Sequence, residues 1–345
     1  MQPRIPFLTW RFLPLLAGLL IALLVGIHFG AVSLSFEQIW QGLWHPAEES
    51  YINTILWQIR LPRVILAACV GGGLAVAGAA FQGVFRNPLA DPFVIGASSG
   101  AALGATLALL WIAGSITVIT ATWQIPWLIL AAFAGALLVV CGVFLIASLS
   151  SIGRSAPLLT LILAGMALSS FTGALVSLIM FLNHEMLTTI FSWLLGSFSG
   201  RHWNEIVMAG PVILCSGGLL WLLSRPLDLL SFGDETAQTL GLSIAKFRML
   251  ILVAATFCTA ACVAVSGVIG FLGLMAPHMT RILSGPRHGL LIPGSCLLGA
   301  TLMVIADTLA RTVIAPAEIP VGVVTALMGC PFFLFLLLSR GQQSG

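Results

Sequence analysis

The sequence predicts an all-α polytopic membrane protein with about ten transmembrane helices. Two observations carry that prediction, composition and the recurrence of long apolar runs. Of the 345 residues, 59% are hydrophobic and only 7% are charged. A soluble domain carries roughly 25% charged residues, so this chain cannot cover a globule with polar surface. Lipid must be its solvent. Apolar runs of about 20 residues, the length needed to span, recur from end to end. Their limits are near 12–31, 64–84, 93–113, 127–149, 157–182, 203–223, 247–266, 268–283, 288–308 and 320–339. No stretch is long and polar enough for a separate soluble module, so residues 1–345 read as a single membrane domain.

Taken in order, the first run follows Arg4 and Arg11. It resembles a signal peptide, but no small-x-small cleavage site follows, and it reads as a retained helix. The segment 32–59 holds Glu37, Glu48 and Glu49 and is polar enough to lie in water. The next two runs are rich in Gly and Ala. Small residues recur at helical spacing, Gly71, Ala75 and Ala79 in one and Gly96, Gly100 and Gly104 in the other. In lipid, close backbone approach through such faces is a main source of helix association. A polar knot, Arg86-Asn87-Pro88-Leu89-Ala90-Asp91-Pro92, joins the two as a hinge. The segment 183–202 reads as a short interfacial helix around Leu187, Ile190, Phe191 and Trp193. In the segment 224–246, Asp234 or Ser231 would cap a short helix that Gly241 ends. Its apolar residues Leu229, Leu230, Phe232, Ala237 and Leu240 either fold back on the membrane domain or plug into a partner. The run 268–283 is the weakest, because Pro277 and His278 interrupt it, and a broken helix is expected there.

Charge sets the orientation. With ten spans and a cytoplasmic N-terminus, ten basic residues face inside: Arg4, Arg11, Arg86, Arg154, Arg225, Lys246, Arg248, Arg281, Arg287 and Arg340. Four face outside: Arg60, Arg63, Arg201 and Arg311. That is the positive-inside bias, with both termini cytoplasmic. Trp40, Trp44, Tyr51, Trp57, Trp123, Trp127 and Trp203 fall near the outer ends as an aromatic belt would. A faint repeat relates Gly78–Gly83 leading to Pro88 with Gly267–Gly273 leading to Pro277, on helices of opposite direction. Inverted repeats are a transporter feature.

No catalytic constellation is present: no phosphate loop, nucleophile elbow or zinc-ligand spacing. The seven cysteines sit in or beside apolar runs. Cys258 and Cys262 share a helix face, as a metal or redox pair would, or simply serve as small apolar residues. His278 is a proton-relay candidate or a partner for carbonyls freed by the proline. Asp307 and Arg311 are spaced for an ion pair. Arg60, Arg63 and Arg311 run against the charge bias. They are either snorkelling anchors or a docking patch for an acidic partner.

Several motifs then converge. Trp57-Gln-Ile-Arg-Leu-Pro-Arg63, Gly78-Ala-Ala-Phe-Gln-Gly83, Asn87-Pro-Leu-Ala-Asp-Pro92 and Gly96-Ala-Ser-Ser-Gly-Ala101 resemble the FecCD family. So do Gly233–Gly241, Gly270–His278, Ala306–Arg311 and Glu318–Thr325. These are permease subunits of type II ABC importers for ferric siderophores, haem and vitamin B12. The resemblance implies a ten-helix permease fold with inverted repeats, in the bacterial cytoplasmic membrane. It implies a second permease subunit, two ATPase subunits inside that hold ATP and Mg, and a periplasmic or lipoprotein substrate-binding protein outside. It implies no cofactor or metal in this chain, no hydrolysis by it and no nucleic-acid partner. By residue, Arg60, Arg63 and Arg311 would receive the binding protein. Leu229, Leu230, Gly233, Asp234, Glu235, Ala237, Leu240 and Gly241 would couple to the ATPase. Asn87, Pro88 and Leu89, with Leu158 and Leu159 of the 154–160 loop, would form the inner gate. The expected cargo is a ferric siderophore, with haem and cobalamin as alternatives. An ion-coupled secondary transporter is the competing class, and it would need an ionisable residue deep in a span.

Overall fold

The computed structural model describes residues 6–30, 34–46, 50–114, 121–150 and 158–341. Arg4, Glu48, Glu49 and the 154–157 part of the expected gate loop lie outside them, as do the side chains of Arg11, Trp123 and Arg340. Ten helices match the ten apolar runs. In chain order with the short helices between them, they are α1 (Pro6–His28), α2 (Phe36–Trp44), α3 (Tyr51–Thr54), α4 (Leu61–Phe85), α5 (Ala97–Gly114), α6 (Ala121–Ser150), α7 (Leu158–Leu182) and α8 (Leu187–Leu194). Then come α9 (Trp203–Leu222), α10 (Ser224–Ser231), α11 (Asp234–Thr239), α12 (Ile244–Ser266), α13 (Leu272–Ser284), α14 (His288–Thr312) and α15 (Val321–Gly341).

The molecule is built around α4. Every residue from Val70 to Val84 is buried, as expected of a helix that is apolar on all sides. Its neighbours approach through missing side chains. A Cβ on Gly71 would lie 2.4 Å from the Gly299 carbonyl oxygen of α14, and one on Gly78 would lie 1.9 Å from the Gly273 oxygen of α13. Ala75 and Ala79 are fully buried on the same helix. Cys258 and Cys262 of α12 point their thiols at the Gly73 and Val70 carbonyls of α4, at 3.4 and 3.7 Å. They act as small packing residues. Among the described residues, no group of His, Cys, Asp or Glu could hold a metal ion. A second close pair joins α5 and α6, where Gly100 and Gly104 meet the backbone of Gly135 and Ala131. Gly96 differs from this pattern. It is not on the helical face but ends the 3₁₀ turn Pro92–Ile95 at φ +86°, a backbone region that glycine adopts at least cost.

Two elements depart from the sequence expectation. The break in the weak span lies at 267–271, where Phe271 takes φ +67°, and α13 then runs straight through Pro277. A proline removes one N–H and orphans the carbonyl four residues back. Here that carbonyl is Gly273, and the Gln82 amide of α4 donates to it at 3.4 Å. The freed acceptor is thus satisfied by a neighbour, so no break is needed at Pro277. His278 packs edge-on against Phe332. Secondly, α11 begins at Asp234 with Gly233 as its cap, and Ser231 ends α10.

Helix directions follow from pairs at the ends. Arg86, at the end of α4, and Arg248, near the start of α12, meet the same carboxylate of Asp234. Hence α4 and α12 are antiparallel, with α10 and α11 on that side. On the opposite side lie α2 and α8. There Trp203 donates to the Trp57 carbonyl at 2.8 Å and Trp57 to Gly42 at 2.9 Å. Those two belt tryptophans are structural hydrogen-bond donors, whereas Trp40 and Trp44 remain exposed.

Candidate functional site

The chemistry-bearing residues gather at the two ends of α4. On the α10–α11 side, α10 and α11 form a short helical elbow. Leu227, Leu230 and Ala237 are buried and anchor it to the membrane domain, with Leu229 half-buried. Phe232 and Leu240 stand outward, 71% and 61% exposed, beside exposed Glu235. The elbow's apolar residues therefore divide. Leu230 and Ala237, expected to touch a partner, hold the elbow in place instead, because their side chains lie inside the fold. Gly241 takes φ +83° and turns the chain toward α12.

Asp234 is the connecting residue. Its carboxylate accepts two hydrogen bonds from Arg248 at 2.8 and 2.9 Å and lies 3.4 Å from Arg86. Arg86 caps α4 with φ 50°, ψ 33°, a left-handed conformation uncommon outside glycine. The hinge follows at once. Asn87 accepts from the Leu89 amide at 2.9 Å, which fixes the turn, and Leu89 projects outward, 49% exposed. Pro88 is half-buried. Asp91 accepts from the Phe93 amide at 2.8 Å. Burial pushes its carboxyl up to about 6, against the opposing pull of that hydrogen bond. The 3₁₀ turn that follows the hinge touches α7 where Gly165 meets the Val94 carbonyl. Leu158 and Leu159 open α7; Leu158 is half-buried and Leu159 is 65% exposed. Beside the hinge, Arg281 of α13 donates to Gln82 at 2.9 Å. Asp228 of α10 accepts from the His288 backbone and ring at 2.8 and 2.7 Å.

On the other side, Arg60, Arg63 and Arg311 converge, but not as an open docking patch. All three are buried, at 3%, 6% and 6% exposure. Arg60 ends a π-helical turn, Ile55–Arg60, and donates to the Ile27 and His28 carbonyls of α1. Arg311 donates to the Gly26 carbonyl. Arg63 is held on both sides, by Asp307 at 2.8–3.1 Å and by Glu318 at 2.9 and 3.1 Å. The reason is physical: a guanidinium at a helix end in lipid needs acceptors, and the fold supplies them. Asp307 serves Arg63 first and lies 3.5 Å from Arg311. Three arginines and two carboxylates leave the cluster with one surplus positive charge. Glu318, 35% exposed in its side chain, is its outer member. Burial pushes the Glu318 carboxyl up, but the hydrogen bonds and charge of Arg63 outweigh this and hold it below the usual range.

The spacing of Asp307 and Arg311 marks them as a pair, but nothing local marks Glu318 and Asp307 as partners of Arg63, 255 and 244 residues apart. The Glu318-Ile-Pro motif singles out Glu318 but not its partner. The triad Arg86–Asp234–Arg248 carried none, since its members belong to three elements.

The described residues thus form an apolar bundle with a protruding elbow, strapped by a carboxylate to the hinge of its central helix. Residues 18–339 match the FecCD transport family. The chain belongs to that family. The permease is 40% identical over 350 residues to the hemin transport system permease protein HmuU of Yersinia pestis, covering 96% of this chain and 98% of the relative. It is 40% identical over 335 residues to the molybdate import system permease protein MolB of Haemophilus influenzae, covering 94% of this chain and 95% of the relative. A solved metal-chelate type ABC transporter in an inward-facing conformation is similar at TM-score 0.82 and 35% identity, over 96% of this chain and 99% of that one. Equal identity to relatives named for haem and for molybdate means that overall similarity does not name a cargo.

Proposed function

We propose that the permease is the membrane subunit of an ATP-driven, binding-protein-dependent importer in a bacterial cytoplasmic membrane, with both termini cytoplasmic. Its cargo on this reading is a ferric siderophore, with haem and cobalamin as the alternatives. ATP and Mg sit on two partner ATPase subunits. A second permease subunit completes the pathway, and a soluble or lipid-anchored protein delivers cargo to the side of α2 and α8.

The observation that supports this best is the elbow of α10 and α11. Exposed Phe232 and Leu240 offer apolar anchors to an ATPase cleft. Asp234 ties the same elbow to Arg86 and Arg248, so a push on it reaches the hinge and α12 together. ATP binding then shifts the population between inward- and outward-open forms through these contacts. On the far side, an acidic group of the delivery protein would have to displace Glu318 to reach Arg63.

The test is uptake in vesicles that hold the permease, its ATPase and its binding protein. Replacing Phe232 and Leu240 with Ala should abolish ATPase association and uptake without loss of folded permease. Cargo moved by the permease alone on an ion gradient would refute the proposal.

A further inference from the structure

A groove of about 570 Å³ runs between α1, α9 and α14 and exposes one strip of α4. Leu19, Cys69, Gly73, Gly218, Trp221 and Cys296 line it, and no charged side chain does. Exposed Leu214, Trp221 and Cys296 leave it open to the membrane. It takes in nine-residue stretches of three helices: 68–76 of α4, 213–221 of α9 and 292–300 of α14. At 1.5 Å per residue each stretch is about 12 Å long. That is close to one leaflet of an apolar core about 30 Å thick. The α9 and α14 stretches lie in the half next to α10 and α11, and the α4 stretch spans the middle of its helix.

The mouth of the groove has a charge. There Trp221 donates to the Gly289 carbonyl at 3.2 Å. Arg225 lies one turn beyond Trp221, and Arg287 lies two residues before Gly289. Both are exposed, and among the described residues neither is within 4.0 Å of a carboxylate. Asp228 feels the charge of Arg287, but its oxygen is engaged by His288 at 2.7 Å. The mouth therefore keeps a positive surplus above an apolar slot one leaflet deep.

We propose that this groove binds an anionic phospholipid, with one acyl chain in the slot and the phosphate between Arg225 and Arg287. A flexible chain suits a long slot floored by Gly72 and Gly73, and arginine suits a phosphate. A tryptophan at the mouth suits the boundary between tail and headgroup.

The glycines supply the test. A Cβ on Gly218 would meet nothing within 4 Å, whereas one on Gly73 would lie 2.7 Å from the Cys262 thiol. Gly218→Phe can therefore fill the slot without forcing the helices apart. The full-length permease, purified in mild detergent and loaded from vesicles of equal phosphatidylglycerol and phosphatidylcholine, is examined by native mass spectrometry. The wild type should retain phosphatidylglycerol over phosphatidylcholine by about tenfold. Arg225→Ala with Arg287→Ala, both on exposed side chains, should remove that preference but keep the tail. Gly218→Phe should lose both lipids. Equal retention of the two lipids by the wild type, or unchanged phosphatidylglycerol in either variant, would overturn the proposal. So would a dimer mass that disappears in Gly218→Phe, because the groove would then be covered by a second copy.

Discussion

Arg63 has both sides of its guanidinium occupied, and the two partners differ in depth. Asp307 is 1% exposed and Glu318 is 35% exposed in its side chain. Removing one partner of a buried pair leaves an uncompensated charge, at a cost of about 3 kcal/mol or more. Asp307→Asn is therefore expected to lower stability by that amount, read as a fall in melting temperature in detergent. Glu318→Gln should cost about 1 kcal/mol, because water screens the outer pair. The same variant should strengthen binding of a delivery protein if that protein's acids compete for Arg63; unchanged affinity would separate docking from this cluster. Glu318 has a lowered native pKa. Its contribution is present above the ordinary value of 4.5 and fades as pH falls through the native value. Asp91 behaves in the opposite sense. Its native pKa near 6 lies above the ordinary 3.8, so its contribution is full below 3.8 and is lost as pH rises toward 6. Asp91→Asn keeps an oxygen for the Phe93 amide and should abolish this pH dependence between pH 4 and about 6.5. A thermal unfolding series across that window, wild type beside variant, decides it.

At the scale of elements, the glycine contacts and the elbow make separate predictions. Gly78→Val would place a carbon 1.9 Å from the Gly273 oxygen. Overpacking of this kind costs about 3 kcal/mol or more, so α4 and α13 should part and the yield of folded permease should drop sharply. A variant that melts like the wild type would show that the two helices are not in backbone contact. Asp234→Asn leaves Arg248 with a neutral acceptor and loosens the tie to Arg86. In the assembled importer it is expected to reduce uptake severalfold while ATP hydrolysis continues. Equal losses of both would mean that Asp234 serves assembly, not transmission.

For the whole molecule, the charge plan and the helix plan agree because one constraint produces both. Lipid admits few charges, so among the described residues the charges are placed at helix ends, paired or exposed to water. The ten apolar runs were legible as ten helices because a span needs an uninterrupted apolar length, which is written locally. The elbow was legible as a short helix in a polar segment, and the family was legible from ordered motifs along nearly the whole chain. The state of Arg60, Arg63 and Arg311 was not. As isolated arginines at helix ends, they fit an exposed patch as well as a buried network. The place of the break near α13 was also hidden, since Pro277 is a breaker only where no neighbour can satisfy the Gly273 carbonyl.

The chain by itself determined the solvent, the succession of apolar helices, the order of motifs and hence the family, all of which depend on hydropathy and short-range pattern. Only the tertiary structure decided which leucines of the elbow point outward and which carboxylates hold Arg63. It alone joined Asp234 to Arg86 and Arg248. Those assignments depend on distances between residues far apart in sequence, and helix packing fixes such distances through backbone approach at Gly71, Gly78 and Gly100.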